Sequence, residues 1–356
     1  MRSLLIPLVL LLHFTLSEDV SAQVTPKATI RGRVVDDSTG TPLPLANVFV
    51  SNSTIGTSAD ADGRFELKGV PIGFQQIVAS IVSYKPMSIN VQLSDSLVRV
   101  VEFRLKAQPV QISAVDVEAK DPVEWKKHLQ KFLETFFGKT KNAERCRIMN
   151  PEVLDFSFDE ENEQLTATAR APIEIDNQAL GYHVRLILVL FMNNRTRYQF
   201  IALSAFAPLK PKSFVEGEEW KSNRLDAYYG SKRHFLRSLI RKSTSAEGFD
   251  VNNLRHDWVG NAMMGPVGFA VSPDALVAPG DTQYEFKLEF RDYLQVIYRR
   301  ENKMLISLIE MNTPTVIVFP NGLTANPLGL WTSGYWATQR VAEMLPIDYE
   351  PASAAN

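Results

Sequence analysis

The stretch Ile30-Arg-Gly-Arg-Val-Val-Asp36 alternates small or apolar residues with charged ones, and this alternation decides the fold of the region that follows. Hydrophobic alternation with a period of two is typical of a β-strand that buries one face. Similar segments return at residues 46–50, 64–67, 77–82, 89–93 and 101–105. About six or seven short strands without helical periodicity predict a two-sheet antiparallel β-sandwich.

Turn-forming residues separate these strands. The segments Asp36-Asp-Ser-Thr-Gly40, Asp60-Ala-Asp-Gly63 and Pro71-Ile-Gly73 combine residue types that favour tight turns. The carboxylates of Asp60 and Asp62 would also suit a calcium ion, which prefers oxygen ligands. We favour a hairpin turn, because Gly63 tolerates a positive φ and the sequence lacks the rest of an EF-hand loop.

The order of these segments resembles the carboxypeptidase-regulatory-like domain, a transthyretin-like (prealbumin-like, Ig-like) sandwich common in exported proteins of Bacteroidota. The residues that carry the resemblance are 30–36, Thr39-Gly-Thr-Pro-Leu43, 46–50, Gly56-Thr57, Asp60-Ala-Asp-Gly-Arg-Phe-Glu-Leu67, Val70-Pro-Ile-Gly73 and Tyr84. Ser83 departs from the pattern, because the family commonly has glycine before this tyrosine. The resemblance implies an accessory sandwich without a catalytic group, which in relatives accompanies a zinc peptidase or precedes a TonB-dependent transporter.

Neither of these partners is visible in the remaining sequence. A metallocarboxypeptidase needs a His-x-x-Glu pair of zinc ligands. None of His128, His183, His234 and His256 has glutamate three residues further on. No other motif for nucleophilic, phosphate-binding or redox chemistry is present. The sequence therefore assigns no catalytic, cofactor-binding or metal-binding residue.

The first 22 residues predict export. Arg2 precedes an apolar run that ends near Leu16, and small residues lead to a cleavage point after Ala22. The run is shorter than the ~20 residues of a membrane-spanning helix. The only cysteine is Cys146, so no lipid-anchoring cysteine follows the cleavage point and no internal disulfide can form. We expect a protein of the periplasm or cell surface that is not a lipoprotein and has no transmembrane helix.

The composition of the 356 residues, 45% hydrophobic and 22% charged, suits packed domains. It excludes a disordered chain, a collagen-like fibre and a disulfide scaffold. Lysine and arginine total 38 against 40 acidic residues, which gives a net charge of −2. This balance gives no electrostatic reason to expect nucleic acid as a partner.

Beyond the sandwich (residues 23–107) we expect a linker at 108–120 and a mainly β, α+β domain at 121–356. A helix is predicted to begin with Asp121 as its cap and to end at Gly138. Two further helices are expected, one after Ser231 and one at residues 335–345. Strands are predicted at residues 153–158, 165–169, 182–191, 198–206, 284–290, 293–298, 304–309 and 316–319.

Segments 136–154, 179–182 and 227–239 are similar to uncharacterised Bacteroidota proteins that carry the same N-terminal module. This similarity implies a domain boundary near residue 120 and implies no chemistry.

Three groups of residues in this domain are candidates for binding or catalysis. Arg233, Arg237 and Arg241, beside Lys232 and Lys242, could bind phosphate, an anionic polysaccharide or a lipid headgroup, although a solvated helix face is favoured. His234 and His256 with Asp257 could form a base and the group that orients it, although a structural or exposed histidine is favoured. The aromatic candidates for a carbohydrate platform, for which core packing is favoured, are Trp220, Trp258, Trp331, Trp336, Tyr228, Tyr229 and Tyr335.

These patterns favour an exported, non-enzymatic binding or assembly protein of the bacterial cell envelope, with an envelope protein or a glycan as partner. One alternative is a hydrolase whose active site combines Glu216, Glu218 or Glu219 with the histidines. The other is a small outer-membrane β-barrel, suggested by the strict alternation of residues 284–290. The sequence does not distinguish an oligomeric state.

Overall fold

The computed structural model describes residues 27–94, 98–108, 122–255, 265, 267–300 and 303–351. The predicted signal peptide, residues 109–120 of the predicted linker and the predicted cap Asp121 lie outside these ranges. The described chain is mainly β, as predicted, with an N-terminal sandwich followed by an α+β region.

Seven strands in two sheets build the sandwich. They are β1 (Lys27–Asp36), β2 (Asn47–Val50), β3 (Gly56–Ser58), β4 (Arg64–Pro71), β5 (Gly73–Ser80), β6 (Met87–Leu93) and β7 (Val98–Leu105). One sheet has the order β4-β1-β7 and the other the order β3-β2-β5-β6. One pairing departs from the predicted antiparallel arrangement, because β7 runs parallel to β1. The chain crosses from the second sheet, after β6, back to the far edge of the first, and this crossover sets the parallel direction.

The apolar positions of the alternating segments face each other between the two sheets. Ile30, Leu67, Ile77 and Phe103 are fully buried in one continuous cluster. Burial of such side chains contributes roughly 1.5–3 kcal/mol each, which makes this cluster the main stabilising feature of the sandwich.

The predicted turn at Asp60 is confirmed. The Asp60 carboxylate accepts hydrogen bonds from the backbone N–H groups of Asp62 and Arg64, at 2.9 and 2.8 Å. Gly63 has φ +72, and a Cβ there would lie 2.5 Å from the carbonyl oxygen of Val34. Ser83 has φ +68, in the left-handed region that glycine adopts most readily, and the family commonly has glycine at this position.

A third sheet, which we call the helix-covered sheet, follows the two sheets of the sandwich. Its strands are β8 (Cys146–Ile148), β9 (Leu154–Asp159), β10 (Gln164–Ala169), β11 (Ile173–Asn177), β12 (Tyr182–Asn193) and β13 (Tyr198–Pro208). The predicted helix is confirmed as α1 (Pro122–Phe137), and Gly138 ends it with φ +85. Phe132 and Phe136 of α1 are fully buried in a cluster with Leu154, Leu186 and other apolar residues of the sheet.

Two helices follow β13, and only one of them was predicted. The helix after Ser231 is α3 (Lys232–Ile240), with the Ser231 hydroxyl accepting a hydrogen bond from the backbone N–H of His234. Helix α2 (Phe214–Tyr228) was missed, because its apolar residues do not follow a helical stripe and Gly217 interrupts them. Its cap is Ser213, which accepts from the backbone N–H of Glu216.

The last region contains two further sheets. The larger one, which we call the C-terminal sheet, has the order β15-β14-β18-β19-β21, and a small sheet has the order β16-β17-β20. The strands are β14 (Phe249–Leu254), β15 (Phe269–Ala270), β16 (Val277–Pro279), β17 (Phe286–Leu288), β18 (Tyr293–Arg300), β19 (Lys303–Met311), β20 (Val316–Val318) and β21 (Leu330–Gly334). Helix α3 packs on the C-terminal sheet through Phe235, Leu236 and Leu239.

Two predicted elements are shorter than expected. The alternating segment 284–290 forms a strand only over Phe286–Leu288. The predicted helix at 335–345 is reduced to α4 (Tyr335–Thr338) and a 3₁₀ turn at Val341–Glu343. Gln339 and Arg340 have extended backbones and separate these two pieces.

The segment 346–350, which we call the C-terminal strap, joins the sandwich to the rest of the described chain. Ile347 is buried in the core cluster of the sandwich. The Asp348 carboxylate accepts hydrogen bonds from the backbone N–H and the hydroxyl of Thr54. Beside the strap, Ser53 forms a parallel bridge with Ala205 on the edge of β13.

Candidate functional site

A cleft of about 720 Å³ lies where the helix-covered sheet meets the C-terminal sheet. One wall is formed by the start of β13 and the residues before it. The other walls are formed by the junction of α2 and α3, by β21, and by the segment from α4 to the strap. The lining side chains include Arg197, Tyr198, Phe200, Tyr228, Lys232, Arg233, Tyr293, Glu310, Trp331, Trp336, Arg340 and Glu343.

Two guanidinium groups lie over aromatic rings in the cleft. The guanidinium of Arg340 lies 3.6 Å from the ring centroid of Tyr198, and that of Arg197 lies 5.0 Å from the ring centroid of Trp331. Both distances fall within the range of a cation–π interaction. Burial raises the pKa of Tyr198, and the neighbouring Arg340 guanidinium opposes this shift without cancelling it, so the phenol stays protonated.

Lys232 is the first residue of α3 and its side chain lines the cleft. Within the part of the chain that the structure describes, its ammonium makes no hydrogen bond and no ion pair. Burial lowers the pKa of Lys232, because a charge removed from water loses hydration. An unpaired, desolvated ammonium is unfavourable for stability, which makes this lysine a candidate functional residue.

The neighbouring arginines of α3 are engaged, contrary to the solvated face that the sequence predicted. Arg233 donates to the backbone carbonyl oxygens of Asn321, Pro346, Ile347 and Tyr349, at 2.5–3.2 Å. Burial lowers the pKa of Arg233 to about 10, which leaves it charged at neutral pH. These arginine contacts fix the C-terminal strap and leave the guanidinium no room for an external phosphate.

Arg237 and Arg241, like Arg233, have partners within the protein. Arg237 donates from one terminal nitrogen to both carboxylate oxygens of Glu350, at 2.9 and 2.8 Å. Its Nε and Nη1 have no hydrogen-bond partner within the described ranges. Arg241 donates to both carboxylate oxygens of Glu247, each at 2.9 Å. Each of the three arginines therefore has a carboxylate or carbonyl partner within the protein.

His234 is structural, as the sequence favoured. Its Nδ1 accepts a hydrogen bond from the backbone N–H of Gly230 at 3.1 Å, so the neutral ring carries its proton on Nε2 and donates it to Glu247 at 2.7 Å. Burial alone would raise the pKa of Glu247, but hydrogen bonds from His234 and Ser243 and the charge of Arg241 hold it at about 2. Both ring nitrogens are occupied and the ring is buried, so His234 cannot act as a base.

The glutamates proposed for a hydrolase lie on α2, away from any described histidine contact. Glu216 accepts from the backbone N–H of Lys212, Glu218 pairs with Lys221, and Glu219 pairs with Arg145. His256, Asp257 and Trp258 lie outside the described residues. The described residues thus do not assemble the predicted glutamate–histidine site.

Two other titratable side chains, His183 and Cys146, are hydrogen-bonded or buried within the protein. Burial alone would lower the pKa of His183, but hydrogen bonds to Asp176 at 2.7 Å and Glu174 at 3.0 Å outweigh it and raise the pKa. Burial raises the pKa of the Cys146 thiol to about 12, so the thiolate is scarce and the sulfur is a poor nucleophile.

The aromatic candidates divide into two groups. Trp220 and Trp336 are buried, and their indole N–H groups donate to the carbonyl oxygens of Gln178 and Gly230, at 2.8 and 2.7 Å. Core packing is confirmed for these two, although Trp336 also borders the cleft together with Trp331 and Tyr228.

Sequence reasoning did not identify Arg197 or Arg340 and considered Lys232 only as part of the arginine stripe. No local motif connects these residues, because they come from three segments that meet only in the fold. The available signal was weak: cationic residues next to aromatic ones at Arg197-Tyr198 and near Trp331.

The described fold is a two-sheet β-sandwich joined to an α+β region that contains the cleft. Residues 30–117 match the family model of the CarboxypepD_reg-like domain, so the chain carries a domain of this family at its N-terminus, as the sequence pattern indicated. The TonB-dependent receptor SusC of Bacteroides thetaiotaomicron is 38% identical over 84 residues. This match spans 24% of the present chain and only 8% of the receptor.

Solved structures resemble the chain only distantly. The major pilin subunit of Bacillus cereus has 11% identity and a TM-score of 0.20, covering 23% of this chain and 30% of the pilin. A Bacteroides uniformis structure described as a candidate carbohydrate-binding protein has 8% identity and a TM-score of 0.20, covering 83% of this chain and 99% of that one. Scores this low carry no functional argument.

Within the described ranges, no helix combines the length and the apolar character that crossing a bilayer requires.

Proposed function

We propose that the protein is an exported, non-enzymatic binding protein of the bacterial cell envelope and that its cleft binds a glycan. The observation that carries this proposal is a cleft of about 720 Å³ with several aromatic side chains in its walls. This volume falls within the usual range of small-molecule sites, roughly 300–1,000 Å³. Aromatic rings offer flat apolar faces that suit the apolar faces of sugar rings.

The lining of the cleft supports binding rather than catalysis. The residues that line it in the described part of the chain include no histidine, aspartate or cysteine. Of its two glutamates, Glu343 accepts hydrogen bonds from Thr140 at 2.6 Å and Asn142 at 2.8 Å. Hydrolysis of a glycosidic bond usually needs two carboxyl groups flanking the scissile bond, and Glu343 is already committed to these contacts.

Two features support a location in the envelope. The sequence begins with the pattern of a secretory signal peptide. The sandwich is of the domain type matched in SusC, which is named as a TonB-dependent receptor. The sandwich would then present the cleft to a partner or hold it near the outer membrane.

The test is isothermal titration of the chain without residues 1–22 against a panel of neutral and acidic oligosaccharides. We expect at least one member to bind, and Trp331→Ala to weaken it about tenfold, since an aromatic contact contributes on the order of 1 kcal/mol. Phe214→Ala is the matched control, because Phe214 is 81% exposed outside the cleft.

Circular dichroism of Trp331→Ala would separate lost binding from lost folding. Failure of every oligosaccharide to bind the folded protein at millimolar concentration would contradict the proposed function.

A further inference from the structure

The cleft concentrates positive charge in a chain that is slightly acidic overall. Its lining includes four cationic side chains, Arg197, Lys232, Arg233 and Arg340, against the two glutamates Glu310 and Glu343. The whole chain has a net charge of −2, so this local excess is not a reflection of composition. A concave site lined by one sign of charge raises the local concentration of ligands of the opposite sign.

Within the described ranges, neither glutamate forms an ion pair with these cationic side chains. Glu343 is held by the hydroxyl of Thr140 and the amide of Asn142. Glu310 lies beside Tyr293, where burial and this neighbouring carboxylate together raise the pKa of the tyrosine. The guanidinium of Arg233 donates its hydrogen bonds to backbone carbonyl oxygens of the strap and of Asn321. Three cationic groups therefore remain without a carboxylate partner in the described ranges: Arg197, Lys232 and Arg340.

The two arginines are held in place for recognition by the aromatic wall. Each guanidinium lies over a ring, Arg197 over Trp331 and Arg340 over Tyr198. Contact with a ring restricts each guanidinium, and a guanidinium has five N–H groups that can donate hydrogen bonds to an oxyanion. The same rings offer apolar surface beside the charge, a combination that an inorganic anion alone would not use.

Resting on the glycan-binding function proposed above, we propose that the ligand is an acidic saccharide. Its carboxylate or sulfate group is bound by Lys232 with Arg197 and Arg340, and its sugar ring lies against the aromatic wall. Lys232 is the residue that determines specificity, since its ammonium has no partner among the residues that the structure describes. A neutral sugar would leave that ammonium desolvated and unpaired, so the site selects against it.

The experiment compares matched ligands that differ only in charge. Isothermal titration of the full chain without residues 1–22 uses trigalacturonate against neutral galactotriose, and a sulfated galactose disaccharide against its desulfated form. We expect acidic ligands to bind at least about tenfold more tightly, the scale of one charge-assisted hydrogen bond. The affinity should fall when the sodium chloride concentration is raised, because the contacts are electrostatic.

Variants assign the effect to individual residues. Lys232→Gln and Arg340→Gln should each weaken binding of the acidic ligand about 10- to 100-fold, so that the ratio of acidic to neutral affinity falls. Lys232→Arg should restore much of the affinity because it keeps the charge. Lys221→Gln is the matched control, since Lys221 pairs with Glu218 on α2 outside the cleft.

The outcomes separate the two proposals. Equal affinity for neutral and acidic partners would overturn the acidic-saccharide inference while glycan binding stands. Binding of acidic ligands that Lys232→Gln and Arg340→Gln leave unchanged would also overturn it. Binding of no saccharide at all would contradict the proposed function, and the inference with it.

Discussion

The sandwich and the cleft differ in whether a desolvated charged group has hydrogen-bond partners within the described ranges. In the sandwich, the buried Asp36 carboxylate accepts hydrogen bonds from Ser38, Thr39 and Tyr84, which hold its pKa well below the ordinary range despite burial. In the cleft, the Lys232 ammonium has no partner within the described ranges. Folding alone explains the first arrangement. The second reduces stability, and such departures from local satisfaction are expected at functional sites.

The largest expected effect tests whether the two regions are separately stabilised. Phe103 is fully buried in the sandwich, and replacing it with alanine should reduce the free energy of unfolding by about 3–5 kcal/mol. All five tryptophans lie outside the sandwich, so their fluorescence reports on the second region alone. In urea, we expect Phe103→Ala to shift the far-ultraviolet circular dichroism transition to lower concentration than the fluorescence transition.

Phe132→Ala is the matched change in the second region, because Phe132 is equally buried between α1 and its sheet. In Phe132→Ala, the fluorescence transition should shift to a lower urea concentration than the circular dichroism transition. Coincident shifts of both signals in both variants would show that the two regions unfold as one unit and would break the comparison.

The second effect concerns acid. The pKa of Glu247 is about 2 in the folded protein against an ordinary 4.5, so its contribution to stability is complete above pH 4.5 and disappears as the pH falls toward 2. The size is on the order of 3 kcal/mol. Urea unfolding at pH 6 and pH 3 should show this loss in the natural protein, and a smaller one in Glu247→Gln.

Glu218→Gln on the exposed face of α2 is the control and should keep the natural pH dependence. An equal loss in Glu247→Gln would mean that the pH sensitivity comes from other carboxylates, with Asp36 of the sandwich the first to examine.

The smallest expected effect compares the unfolding free energies of two variants at adjacent positions of α3, Arg233 and Lys232. This comparison separates a residue needed for the fold from one that is not. Arg233→Met leaves buried carbonyl oxygens of the strap without donors and should cost about 2 kcal/mol. Lys232→Met removes an unpaired desolvated ammonium and should be neutral or stabilising by up to about 1 kcal/mol. Thermal and urea unfolding measure both.

Opposite signs would identify Arg233 as a residue kept for the fold and Lys232 as one kept for another purpose. A loss of more than about 1 kcal/mol in Lys232→Met would place Lys232 among the structural residues.

The predictability of the fold follows the same division. The sandwich was predictable because alternation, turn residues and a family pattern all occur within one continuous segment. Helix α2 was not, because its residues lack a helical stripe and tertiary contacts such as that of Trp220 with Gln178 stabilise it. The end of the chain was predicted as one helix because apolar spacing does not reveal the extended break at Arg340.

The candidate site was the least predictable part. Arg197, Trp331 and Arg340 are far apart in sequence and meet only because the start of β13 lies against β21 and the segment after α4. The arginine stripe of α3 was visible, but its solvated interpretation was wrong for Arg233, whose partners are backbone groups more than 80 residues away. Backbone carbonyl acceptors leave no trace in a residue pattern.

The C-terminal strap also constrains the order in which the chain can fold. Thr54 and Asp348, which it brings into contact, are 294 residues apart in sequence. During synthesis, the sandwich emerges long before the strap residue Ile347, which completes its core cluster. Contacts of such long range form late. Until then the core cluster of the sandwich lacks Ile347, so apolar surface stays exposed and the interval before the strap arrives carries the greatest risk of misassembly.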